Sequence, residues 1–106
     1  MDLKINNSIE NSWLHLALNG RLDFEESQLL EKKLNDCFFK KLTNVQIDLK
    51  NLDVLHSSGI RVLLSMRKNF LQNNRKFILS NIPDHVLNII KIAGFDKHLL
   101  SDKEKN

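Results

Sequence analysis

The sequence predicts an α/β fold, a single domain with a mixed four- to five-stranded sheet and helices packed against it. Three observations predict it. Short segments that alternate apolar and polar residues are interleaved with longer ones whose apolar residues recur every three or four positions. The only glycines, Gly20, Gly59 and Gly94, and the only proline, Pro83, fall where those segments meet. The element order is β-β-α-β-α-β-α. Helices between the later strands permit parallel pairing, while the few residues between the first two strands favour antiparallel pairing. The 106 residues suit one domain, expected over residues 1–100, with 101–106 as a frayed tail.

Each element has its own signature. Residues 2–7 carry Leu3 and Ile5 in alternation and read as an edge strand. Residues 12–18 place Leu14, Leu16 and Leu18 on one face and Trp13, His15 and Ala17 on the other, so both faces are partly apolar. Asn19-Gly20 is expected to end that strand. Asp23 then reads as a helix N-cap, with Glu26 three residues on as in a capping box. This helix is expected to reach about Lys41, with Leu30, Leu34, Cys37 and Phe38 as its core stripe. Residues 44–49 read as a strand and 51–55 as a connection. A helix is expected from Ser57 or Ser58 to about Asn73, burying Ile60, Leu63, Met66 and Phe70. Residues 76–80 read as a fourth strand. Pro83 suits the first position of a last helix, with Gly94 as its C′ residue and Phe95 folding back. His98-Leu99-Leu100 reads as a short strand or hydrophobic clasp.

Composition narrows the function classes. Apolar residues make up 42% and charged residues 27%, which excludes wholesale disorder. A single cysteine, Cys37, excludes an internal disulfide framework, and its place on an apolar stripe marks it as a small buried hydrophobe. No run approaches the ~18 apolar residues of a membrane span, and the opening residues lack a secretory pattern. A cytoplasmic protein without membrane insertion is expected. His15, His56, His85 and His98 make no helical metal pair, and no metal or cofactor is expected. The net charge of +3 comes from residues 57–76, where Arg61, Arg67, Lys68, Arg75 and Lys76 stand with no acid. No exposed aromatic residue is interleaved with them, so a solvated helix face is expected rather than direct nucleic-acid contact.

The chemistry concentrates in residues 45–64, VQIDLKNLDVLHSSGIRVLL. A buried strand leads to Ser57-Ser58-Gly59 at a helix start, where backbone N–H groups and the positive dipole end accumulate. One reading makes a serine, Ser58 for example, the N-cap. The other makes a serine a regulated hydroxyl, because a helix N-terminus accepts a phosphate without refolding. Arg61, one turn after Ser57, is placed to help hold it. No paired acid and base stand nearby, so an enzyme is not expected.

Three segments together resemble a known family. Gly20-Arg21-Leu22-Asp23 after a strand, Val45-Gln46-Ile47-Asp48-Leu49, and Leu55-His56-Ser57-Ser58-Gly59-Ile60-Arg61 are similar to STAS domains, specifically the small anti-sigma factor antagonists. The resemblance covers about residues 3–100, including Leu79-Ser80-Asn81-Ile82-Pro83 and Ile92-Ala93-Gly94-Phe95. It implies a STAS-like fold and a partner switch. The unphosphorylated antagonist binds an anti-sigma factor, often a serine kinase. Phosphorylation of the serine matching Ser57 (Ser58 less so) releases it, and a PP2C-type phosphatase restores it. The implied partner-binding residues are Asp23, His56, Ser57, Ser58, Gly59 and Arg61. The chain departs from the family at His56, where Asp is common. This removes a negative charge and leaves a residue type that titrates near neutral pH, either a pH-sensitive contact or a solvated filler. The alternative is a constitutive STAS subunit of an ABC-transporter or signalling complex without a phosphate cycle.

Overall fold

The computed structural model describes residues 3–40, 43–95, 97 and 99. In chain order the elements are β1 (Leu3–Glu10), β2 (Trp13–Leu22), α1 (Phe24–Lys40), β3 (Asn44–Leu55), α2 (Ser57–Gln72), β4 (Phe77–Ser80) and α3 (Asp84–Ile92). The strands form one sheet in the order β1-β2-β3-β4. β1 pairs antiparallel with β2, and β2–β3 and β3–β4 are parallel. This is the mixed α/β sheet expected from the sequence.

The strands run further than alternation alone indicates. β1 pairs through Glu10↔Trp13, leaving only Asn11 and Ser12 in the turn. Their φ values of 53° and 67° fit the two-residue type I′ turn, whose twist suits a hairpin. The run Asn6–Glu10, polar except for Ile9, hides the strand because its residues are exposed on the sheet edge. β2 does not end at Asn19-Gly20 but continues to Leu22, and residues 51–55 belong to β3. Two register shifts against β2 explain both differences. At each shift β3 spends one extra residue, a β-bulge that slips the in–out alternation. Leu49, Leu52 and Leu55 are therefore buried at a spacing of three rather than two.

One sheet face carries Leu14, Leu16, Leu18, Val45, Ile47, Phe77 and Leu79 into the core. Leu30, Leu34 and Cys37 of α1, Ile60, Leu63, Met66 and Phe70 of α2, and Val86 and Ile90 of α3 pack with them. The opposite face, with Trp13, His15, Ala17, Gln46 and Asp48, is half buried. Removing such apolar surface from water is the main stabilising term, about 1.5–3 kcal/mol for each large side chain. Cys37 is buried as expected, with its Sγ 2.7 Å from Thr43 Oγ1.

Helix ends show why the punctuation works. Gly94 (φ 83°) donates its N–H to Lys91 O, and Phe95 donates to Ile90 O, both at 3.0 Å. This is a Schellman end for α3. Asn74 (φ 61°) closes α2 similarly, with the Arg75 N–H donating to Phe70 O at 2.9 Å. Pro83 lies one position earlier than expected, as the N-cap of α3. Leu99 is buried, and its N–H donates to Phe95 O at 2.9 Å, a helical contact rather than a strand one. His98, Leu100 and the expected tail over 101–106 lie outside the described residues.

Arg61, Lys68 and Lys76 are exposed as the expected solvated basic face requires, whereas Arg75, beyond the end of α2, is half buried. Its Nε donates to Thr43 O at 2.8 Å, and Nη1 and Nη2 donate to Phe38 O at 2.6 Å and Cys37 O at 3.2 Å. The guanidinium lies 4.6 Å from the ring centres of both Phe38 and Phe70. It satisfies carbonyls at the α1 C-terminus, where a cation also suits the helix dipole.

Candidate functional site

The parallel pair β2–β3 brings the two sequence motifs together. Arg21 pairs with Val54 and Leu22 with Leu55, so Asp23 and His56 follow neighbouring strand ends. The His56 N–H donates to Leu22 O at 3.0 Å and extends the ladder past the last pair. Segments more than 30 residues apart in sequence thereby share one edge of the molecule.

Asp23 performs its expected capping role. Its Oδ1 accepts the Glu26 N–H at 3.3 Å, and its carbonyl accepts the Ser27 N–H at 2.9 Å. Arg21 Nε lies 3.8 Å from Asp23 Oδ2, a loose, part-exposed ion pair. Glu26 does not complete a reciprocal box: its buried Oε1 has no hydrogen-bond partner among the described residues.

The start of α2 is different. Its N-cap is His56, with extended backbone and no side-chain cap hydrogen bond. The expectation that Ser58 or its neighbour is the N-cap is corrected: Ser57 and Ser58 are the first two helical residues. The first intrahelical bond runs from the Ile60 N–H to His56 O at 3.1 Å. The N–H groups of Ser57, Ser58 and Gly59 have no protein acceptor among the described residues. No acid occupies this first turn. Ser57 is exposed and Ser58 half buried. His56 and Arg61 are exposed as well. The arrangement offers a hydroxyl, unfilled donors, the positive helix end and a cation one turn away.

Gly59, expected on the partner-binding surface, is buried. A Cβ there would lie 2.7 Å from Leu22 Cγ, 2.8 Å from Leu22 Cδ2 and 3.0 Å from Leu55 Cδ1. Glycine therefore lets the start of α2 settle onto the ends of β2 and β3, which fixes where Ser57 emerges.

Two contributors escaped the sequence reading. Phe24, next to Asp23, is 63% exposed. Its signal was present, since it is a large apolar residue off the Leu30–Leu34–Cys37 stripe. His85 Nε2 lies 3.1 Å from both Leu52 O and Asp53 O and ties α3 to the end of β3. This contact spans more than 30 residues and has no local signature.

Among the described residues no helix is long and apolar enough to cross a membrane. The STAS domain family model matches residues 1–105. BtrV of Bordetella bronchiseptica, provisionally named an anti-sigma factor antagonist, is 30% identical over 79 residues, covering 74% of this chain and 68% of BtrV. A crystal structure of an anti-sigma factor antagonist from Mycobacterium paratuberculosis matches with a TM-score of 0.81 at 17% identity, covering 93% of this chain and 84% of that one. SpoIIAA from Bacillus, in its phosphorylated form, matches with a TM-score of 0.72 at 15% identity, covering 97% and 95%. The fold, the motif positions and the matched length agree: the chain belongs to the STAS domain family.

Proposed function

We propose that this protein is a cytoplasmic anti-sigma factor antagonist, a binding protein that works in a partner switch. With Ser57 unmodified it docks on an anti-sigma factor that is a serine kinase. Phosphorylation of Ser57 (Ser58 less so) releases it, and a PP2C-type phosphatase resets it. The observation that carries this reading is the exposed Ser57 at an uncapped, acid-free helix start, with Asp23 on the neighbouring strand end. A phosphate there adds about −1.5 to −2 charges, which the free N–H groups and Arg61 can accept without rearranging the fold. The same charge and bulk oppose a partner seated on that edge. Asp23, His56, Ser57, Ser58 and Arg61 form the docking surface, Phe24 adds an apolar anchor, and Gly59 seats the helix beneath. Relatives named as anti-sigma factor antagonists, and SpoIIAA solved in a phosphorylated form, support it.

The test is incubation with the candidate kinase and ATP, then site mapping by mass spectrometry and a binding assay before and after. Label at Ser57 with loss of binding is expected. Absence of label at Ser57 and Ser58 would overturn the phosphate cycle.

His56 favours a second reading, a constitutive STAS subunit of a transporter or signalling assembly, because it replaces the acid common before the switch serine. Recovery of a transporter ATPase and no anti-sigma kinase in a pull-down would select it.

A further inference from the structure

The two edges of the sheet are built differently. β4 is a short edge of four residues, Phe77–Ser80. β1 is a long one of eight, Leu3–Glu10, paired with β2 in an unbroken register. A long edge offers a row of backbone groups to another strand, and proteins blunt such edges with proline, bulges or charge. β1 has no proline and no bulge. Its middle is Asn6-Asn7-Ser8, and its charges, Lys4 and Glu10, stand toward its two ends. Neither charge has an ion-pair partner among the described residues.

The turn dictates which backbone groups are free. A type I′ turn is closed by a hydrogen bond between its outer residues, so the backbone groups of Glu10 point at Trp13. Alternation along an antiparallel pair then turns the N–H and C=O of Ile9, Asn7, Ile5 and Leu3 away from β2. The Asn19 side chain agrees, since its Nδ2 lies 3.5 Å from Lys4 O and places that carbonyl on the β2 side. Ile5, Asn7 and Ile9 stand opposite Leu18, Leu16 and Leu14, so their side chains share the helix-bearing face. α1 does not cover Ile9, which is 51% exposed beside a groove of about 280 Å³ that Asn7, Leu14, Lys33 and Cys37 help line.

We propose that a second copy of this chain docks on the β1 edge, antiparallel, with Asn7 on the twofold axis. About that axis Asn7 faces its own copy, Ile5 faces Ile9 and Lys4 faces Glu10. Ile5 and Ile9 both carry outward backbone groups, so this pair exchanges main-chain hydrogen bonds and buries the exposed Ile9. Lys4 and Glu10 form a pair of opposite charge on the other face, at a position without main-chain bonds, where side chains approach most closely. Moving the axis to Asn6 or Ser8 keeps the bonding alternation but loses both matches. β1 is thus complementary to itself, as a twofold interface requires. The sheet runs on through both copies. Their strands run in opposite directions, so the two strand ends that lead to Ser57 point away from each other and both stay open.

The experiment is sedimentation equilibrium of the full chain between about 10 µM and 1 mM, the span of small, transient interfaces, with amide exchange followed at both extremes. A dimer that grows with concentration is expected, with slowed exchange at Ile5, Asn7 and Ile9 in the concentrated sample. Asn7→Pro removes an outward N–H and leaves the β2 ladder intact, so its thermal melt should hold while the dimer disappears. Lys4→Glu and Glu10→Lys should each weaken the dimer about tenfold, because each sets like charges opposite one another at both symmetric pairs. The two reversals combined restore opposite charges and should return the dimer to its original strength. That rescue separates register from fold, whatever Asn7→Pro does to the melt. A monomer throughout, a dimer indifferent to Asn7→Pro, or no rescue in the doubly reversed chain would overturn the proposal. So would protection of β1 that appears only when the proposed anti-sigma partner is added, since the edge would then serve that partner. Sedimentation needs no such partner, so its failure leaves the partner-switch reading standing.

Discussion

Helices α1 and α2 begin at the ends of adjacent strands, yet their first turns carry opposite chemistry. Asp23 closes α1 with a side-chain hydrogen bond, and Glu25 and Glu26 add negative charge against the positive dipole end. α2 starts from His56 with no side-chain cap and no acid, with Ser57 exposed and Arg61 a turn further on. The two ends are finished differently. The first is finished by the protein's own residues and contributes stability. The second leaves its donors open and forgoes about 1 kcal/mol of capping energy.

Four substitutions probe this contrast, from the largest expected effect to the smallest. Ser57→Asp should lower affinity for the proposed anti-sigma partner at least about a hundredfold by calorimetry, since an unpaired charge and lost fit at a docking surface cost several kcal/mol. The same variant should melt no lower than the wild type, because an acid suits that helix end. A melt that falls together with binding would mean the fold, not the surface, was damaged. Gly59→Ala should lower stability by about 1–2 kcal/mol in urea unfolding, as the new methyl group overpacks against Leu22 and Leu55. An unchanged midpoint would show that α2 does not rest on the strand ends as described. Asp23→Ala should cost about 1 kcal/mol through loss of the α1 cap. His56→Asp should raise stability by about 0.5–1 kcal/mol by supplying α2 with the cap it lacks. If the asymmetry between the two ends is real, Asp23→Ala and His56→Asp shift the melting temperature in opposite directions.

The contrast also shows what sequence can reveal. Asp23, three residues before Glu26, is legible because capping is local, and Gly94-Phe95 is legible for the same reason. The start of α2 is legible because serines and a glycine gather where a strand gives way to a helix. The sequence favours a serine as the N-cap because serine is the better capping residue. The pairing of His56 with Leu22 O instead makes the histidine the last extended residue. The length of β3 was hidden by its bulges, which replace the two-residue period with three. Gly59 signalled a turn residue, whereas its burial follows from contact with two leucines of different strands.

The clamp made by Arg75 has a consequence for how the chain becomes a folded protein. The carbonyls of Cys37, Phe38 and Thr43 wait for a guanidinium 32 to 38 residues further along. During synthesis that side chain emerges only after the whole of α2. The closing contact is thus long-range, and loop-closure entropy must be met before it forms. Neither half can complete itself: the front of the chain lacks its lock, and the back lacks the helix to be locked. A break anywhere between Leu42 and Arg75 should therefore release both pieces together rather than leave a stable fragment.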